Sequence, residues 1–187
     1  MALRRLARGA AVLAAVAVLP ALTSAAELRA LRRDSAAAAA TRETLETHPE
    51  VPFRRDGSLT ITTQGSGTLD VDLEVPDSLN TFMQGLMYRR SMCDRCSMVF
   101  AWSRDGDRPF WMKDTWIPLD LVWVNHDNVI VDIKQARAND LTSVKNDSPA
   151  QYVFEFRENW CADHGVRVGD KLTWQHDALR PAFTAYD

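Results

Sequence analysis

"TLDVDLEVPDSLNTFMQG", residues 68–85, changes its hydrophobic period halfway along. Up to Val75 it alternates strictly: Leu69, Val71, Leu73 and Val75 face one way, and Thr68, Asp70, Asp72 and Glu74 the other, the pattern of a half-buried strand. Pro76 ends that run. Asp77 or Ser78 can then cap a helix whose Leu79, Phe82, Met83, Leu86 and Met87 fall on one face. Gly85 inside such a helix costs about 1 kcal/mol against alanine, so something is expected to pack closely there. A strand followed at once by a short amphipathic helix points to an α+β fold.

Strand patterns extend the reading in both directions. Upstream, "SLTITT" (58–63) and the turn "QGSG" (64–67) make a hairpin with 68–75. Downstream, strands are expected at "SMVFAW" (97–102), "PFWMKD" (109–114), "PLDLVWVN" (118–125), "VIVDIKQA" (129–136), "QYVFEFR" (151–157) and the end of "VRVGDKLTW" (166–174). "SRDGDRP" (103–109) and "HDN" (126–128) read as turns, 137–149 as a polar loop, and "ENWCADHG" (158–165) as a short helix closed by Gly165. The expected fold is α+β and mostly β: an antiparallel sheet curled into a small barrel-like roll with one or two short helices.

The domain is expected over 58–176, with a tail at 177–187. Residues 1–26 carry Arg4, Arg5 and Arg8, an apolar run and small residues at Ala25 and Ala26, which reads as a signal peptide. Residues 27–57 read as a linker of low order. Export to the periplasm or the extracellular space follows, with no transmembrane segment after processing. Cleavage takes the net charge from -3 to -6, which argues against nucleic acid as a partner.

An oxidising compartment makes cysteine pairing relevant. Cys93 and Cys96 follow a helix rather than leading one, so a thioredoxin-like redox role does not fit. A small structural disulfide between them does, and it leaves Cys161 over. One CxxC lacks the second paired motif of a zinc site, and neither a metal nor a cofactor is expected.

The candidate site lies in "FWMKDTWIPLDLVWV", residues 110–124, where charges interrupt an apolar run. Strand alternation would place Trp111, Lys113 and Thr115 together. Lys113 would then hold an anion between the flat walls of Trp111 and Trp116, with Asp120 orienting. Alternatively, Asp120 is a buried carboxylate that accepts backbone N–H groups at an irregular turn, and Lys113 packs its stem while its ammonium reaches water. Met83, Met87, Met92, Met98 and Met112 cluster in sequence. Thioethers suit a soft metal, but they also pack irregular cores.

"GLMYR" (85–89), "MVF" (98–100), the 110–124 stretch and "HGVRVGDKL" (164–172), in this order, closely resemble the family called domain of unknown function 192, over roughly residues 58–174. The resemblance implies a compact β-rich fold, often behind a signal peptide, and brings no established activity, substrate or cofactor. Two places depart from the family pattern. "CDRCSM" stands where members commonly have an acidic or glycine-rich turn, and "QARANDLTSV" lacks the Pro-Cys pair many carry.

The function expected is a non-catalytic, monomeric binding module for a small molecule, glycan or envelope partner, using Trp111, Lys113, Thr115, Trp116 and Asp120. One alternative is an enzyme acting on envelope polymers through Asp120 or Asp114. The other is a periplasmic soft-metal binder using methionines and cysteines.

Overall fold

A computed structural model describes residues 25–26, 29–37, 50–65, 67–176 and 183–185. Most of the expected signal peptide and much of the linker and tail lie outside the described residues. The chain divides into two units, Met1–Glu46 and Thr47–Asp187. In the first, residues 25–26 and 29–37 are helical (α1) and exposed. Among the described residues no helix is long and apolar enough to cross a membrane.

The second unit is mostly β. Its elements are β1 (Gly57–Thr62), β2 (Thr68–Glu74), α2 (Leu79–Gln84), β3 (Cys96–Gly106), β4 (Leu119–Val124), β5 (Ile130–Ala136), β6 (Ala150–Arg157), α3 (Trp160–Asp163), β7 (Lys171–His176) and the two-residue β8 (Thr184–Ala185). Seven strands form one sheet in the order β5-β4-β6-β3-β2-β1-β7, and β8 joins β3 off this path.

Two expectations about the sheet need correction. It is mixed rather than antiparallel, because β2 pairs with β3 in parallel and so does β8. Parallel neighbours need a crossover, and the α2 segment between Val75 and Arg95 supplies it. Nor does the sheet close into a barrel-like roll. Its edge strands β5 and β7 meet only near their starts, through an isolated bridge between Val129 and Lys171 and hydrogen bonds such as Ile130 N–H to Asp170 O (2.9 Å). Beyond those residues the two strands do not pair.

Both faces of the central strands are buried. On one face Val99, Val122, Val124, Phe154 and Phe156 join Leu59, Ile61, Val71 and Leu73 from the β1–β2 hairpin, with Trp160 and Cys161 of α3 above them. On the other face Met98, Phe100, Leu119, Leu121, Trp123 and Val153 pack with Leu86 and Met112. The alternation read in β2 therefore holds for Val71 and Leu73 but fails at Glu74, which is buried and ion-paired.

The helix and the loop on this second face also differ from expectation. Ser78 and Thr81 form a capping box, but α2 lasts only six residues because Gly85 takes φ 52° and turns the chain. A Cβ at Gly85 would lie 3.2 Å from Phe100 Cζ, so the close neighbour anticipated there is Phe100. The short helix buries Phe82 in part and leaves Leu79 and Met83 58% and 61% exposed. "PFWMKD" is not a strand. Asp114 has φ 53°, a left-handed value no strand accommodates, and Lys113-Asp114 forms a turn. The stretch 103–109 is not wholly a turn, since β3 runs on to Gly106.

Candidate functional site

Three segments meet on the second face of the sheet and leave a pocket of about 180 Å³ between them. The first is the end of α2 with the turn that follows. Gly85 and Tyr88, both at positive φ, bend this segment down onto the sheet, and Tyr88 N–H donates to Asp114 O at 2.8 Å. The second is the loop 107–118. Reciprocal Phe110–Val144 hydrogen bonds of 2.9 and 2.7 Å hold it, as do Met112 N–H to Asp140 O and Asn139 N–H to Thr115 O, both 2.9 Å. The third is the sheet itself, where β3 presents Phe100 and Trp102 and β6 presents Glu155.

The walls are rings and thioethers: Phe82, Phe100, Trp102, Phe110 and Trp111, with Met83 and Met87 at the helix side. Phe100 meets Phe82 and Phe110 edge to face, at centroid distances of 5.2 and 5.1 Å, which fixes the ring planes. Gln84 and Thr115 add neutral polar groups, and Thr115 Oγ1 donates to Lys113 O at 3.3 Å.

Glu155 is the one ionisable side chain among the described residues that line the pocket. Its neighbours across the ladder are Met98 on β3 and Leu121 on β4, so neither flanking strand offers it a polar partner. The residue is 5% exposed, and its Oε2 has no hydrogen-bond partner among the described residues. Burial pushes its carboxyl up to about 8; nearby Arg89 offsets part of the effect, and Glu74 adds to it. Arg89 is itself buried and holds Glu74 through Nη2 to Oε1 at 2.7 Å.

The five residues expected at a site are divided among separate places. Trp111, 49% exposed, and Thr115 line the pocket. Lys113 does not; it is exposed, with its Nζ 5.6 Å from the Trp111 ring centroid. Trp116 packs on Tyr88 at 5.6 Å, with the Arg90 guanidinium 4.6 Å from its ring. Asp120 lies on the opposite face of the sheet, where its carboxylate accepts from Asn159 N–H at 3.1 Å and Cys161 N–H at 2.9 Å. It anchors α3, an element distant in sequence from the "IP" turn. Asp114, the other candidate acid, sits in the 113–114 turn and accepts from the Tyr88 hydroxyl at 3.4 Å.

Cys93 and Cys96 stand at disulfide-bonding distance, with Cα atoms 5.3 Å apart. Cys161 is free and buried, and burial together with Asp120 pushes its thiol well above the usual range. Among the described residues no group of three His, Cys, Asp or Glu side chains could hold a metal ion. Met98 and Met112 are core residues, and only Met83 and Met87 reach the pocket.

Glu155, Phe82, Phe100 and Trp102 were not anticipated as site residues. In "QYVFEFR" the alternation of Tyr152, Phe154 and Phe156 assigns Glu155 to the wet face. The signal available was a lone acid within an otherwise apolar run, "VFEF", which suits a strand covered on both faces.

Fold and pocket together define a small, mostly β protein built on one open mixed sheet. The chain belongs to the uncharacterised family DUF192, described as "Uncharacterized ACR", whose model matches residues 59–174. Solved structures that are similar include two. One is a Sinorhizobium meliloti 1021 protein provisionally named a transcription regulator, with 28% identity and TM-score 0.62, covering 67% of this chain and 97% of that one. The other is a Novosphingobium aromaticivorans DSM 12444 protein of unknown function, with 29% identity and TM-score 0.59, covering 63% of this chain and 84% of that one. No curated protein matches.

Proposed function

We propose that the protein is an exported, monomeric, non-catalytic binding module that takes a small, largely apolar molecule into the pocket over Glu155. The observation that carries this reading is a ring-walled pocket lined by Glu155, whose buried Oε2 has no hydrogen-bond partner among the described residues. A buried polar atom without a partner costs free energy that a ligand donor would recover. Five aromatic walls and few polar groups match the usual make-up of a small-molecule site. A volume of about 150 Å³ suffices for a benzene-sized ligand. A glycan would need more hydrogen-bonding side chains than Gln84, Thr115 and Glu155 provide.

An enzyme is the rival reading, since a carboxyl raised to about 8 is the kind of group that serves as a general acid. Hydrolysis of a glycosidic polymer calls for a second carboxylate across the cleft. Asp120 faces the other side of the sheet, and no second acid lines the pocket among the described residues. A nucleic-acid role, as the name of the Sinorhizobium protein would imply, fits poorly with an acidic chain.

The binding reading is tested by methyl NMR with a library of ring-sized molecules. Binders should shift the Met83 and Met87 methyls, and Trp111→Ala should weaken them by about tenfold. Binding of these molecules that leaves both methyls unmoved would reject the pocket. Export rests on the pattern of residues 1–26 and suits a paired Cys93–Cys96. N-terminal sequencing of protein from the cell envelope should begin near Glu27, and a retained Met1 would refute cleavage.

A further inference from the structure

We infer that the pocket's ligand is an organic cation, an ammonium group on a compact apolar body, with Glu155 as its counter-ion. The inference rests on the pocket being the binding site and adds the charge of what binds there.

Counting charges within the buried cluster leads to it. Arg89 and Glu74 form a one-to-one pair through Nη2 and Oε1 at 2.7 Å, both side chains about 5% exposed or less. Glu155 is the surplus acid. With its carboxyl protonated the cluster is neutral; ionised, the cluster carries one uncompensated negative charge in an apolar setting. A cation entering from the pocket side balances that charge where Arg89, held by Glu74, does so only in part. The groups facing Glu155 from the elements around it are Arg89 after α2, Glu74 on β2, Met98 on β3, Leu121 on β4 and Gly85, which offers no side chain. Glu155 Oε2 lies 4.0 Å from where a Gly85 Cβ would stand, and both residues line the pocket, so the unsatisfied oxygen sits close behind its wall.

The walls favour the same charge. Aromatic faces attract cations, and among the described residues lining the pocket none is basic. The surrounding rings already show this affinity: the Arg108 guanidinium lies 4.8 Å from the Trp102 centroid and the Lys113 ammonium 5.6 Å from that of Trp111. An anion would meet the Glu155 carboxyl in a pocket that no basic side chain lines among the described residues. A neutral apolar body would fill the volume and leave an ionised Glu155 without a counter-charge.

The test uses benzyltrimethylammonium, its neutral carbon isostere neopentylbenzene, and phenylacetate as the anion, on the whole domain. Methyl NMR of Met83 and Met87 locates binding, and calorimetry in buffers of different ionisation enthalpy counts protons. The quaternary ammonium has no proton of its own, so any proton released comes from the protein. The expected result is binding of the ammonium at least about tenfold tighter than its isostere at about pH 8. Proton release should approach one per ligand at about pH 6.5 and fall as the pH passes 8. Glu155→Gln should abolish both the preference and the release, and should that variant fail to fold, the proton count on the unaltered protein decides. Equal binding of ammonium and isostere at the two methyls without proton release would overturn the cation and leave the pocket as the site. Preference for phenylacetate would overturn it equally. If none of the three shifts either methyl, the pocket reading falls along with the cation.

Discussion

Burial is the main reason the Glu155 carboxyl titrates near 8 instead of 4.5. Between those two values the folded chain holds a proton that an unfolded chain has released. Stability therefore falls as pH rises across the window, and the loss is complete above about 8. Glu155→Gln keeps the shape of the protonated side chain and removes the titration. Urea midpoints for the variant and the parent should agree near pH 4.5 and diverge above 8, where the variant is the more stable by about 3–5 kcal/mol. A constant offset at all pH values would mean that Glu155 titrates alike in the folded and unfolded chain. Asp120 is also buried, but its carboxyl oxygens have partners, the backbone donors Asn159 N–H and Cys161 N–H. Asp120→Asn puts a weaker acceptor in that place and should cost about 1–3 kcal/mol in thermal or chemical unfolding. Because Asp120 lies across the sheet from the pocket, the Met83 and Met87 methyls should not move.

Among the elements, the ones legible in the sequence are those whose pattern is set locally. The β1–β2 hairpin, β4, β5 and β6 show their periodicity and their turns, and the start of α2 shows its cap. The stretch 109–114 misleads for a physical reason. Met112 is buried while Trp111 and Lys113 are exposed, so an alternation does exist, but it comes from a loop pinned at Phe110–Val144 and not from a ladder. β8 has two residues, too few for any pattern. Glu155 and Glu74 read as solvent-facing because strand alternation records one wet face, and α2 with the 107–118 loop covers it from elsewhere in the chain. Of the five residues proposed from sequence, Trp111 and Thr115 reach the pocket; the rings from α2 and β3 that complete it converge only in three dimensions. The α2 terminus offers a further test. Gly85→Ala forces a side chain into a left-handed position with Phe100 Cζ 3.2 Å away. It should lower stability by about 1–3 kcal/mol and shift the Phe82 and Phe100 resonances, which border the pocket.

At the scale of the molecule, one sheet serves two cores. The face under α3 carries the packing that joins the β1–β2 hairpin to the rest, and the face under α2 carries the pocket. A ligand in the proposed pocket would rest on strands whose reverse sides are held by an independent set of contacts, so its binding would need no rearrangement of the first core. The edges of the sheet, β5 and β7, include Lys134 and Lys171, charges that discourage addition of another strand.

The pairing of β1 with β7 has a consequence for how the chain reaches this state. Gly57 lies opposite His176, and Thr62 opposite Lys171, so the earliest strand of the sheet receives its second neighbour from the latest of the seven. Such contacts close loops of over a hundred residues and reward the chain only after that entropy has been spent. Refolding from urea should accordingly take milliseconds to seconds, as stopped-flow tryptophan fluorescence would read, and not the microseconds of a helical bundle. During synthesis, a chain still lacking Lys171–His176 has β1 open along one side. A newly made polypeptide would spend that interval with an unpaired edge at Leu59 and Ile61, the stage at which a chaperone would have most to hold.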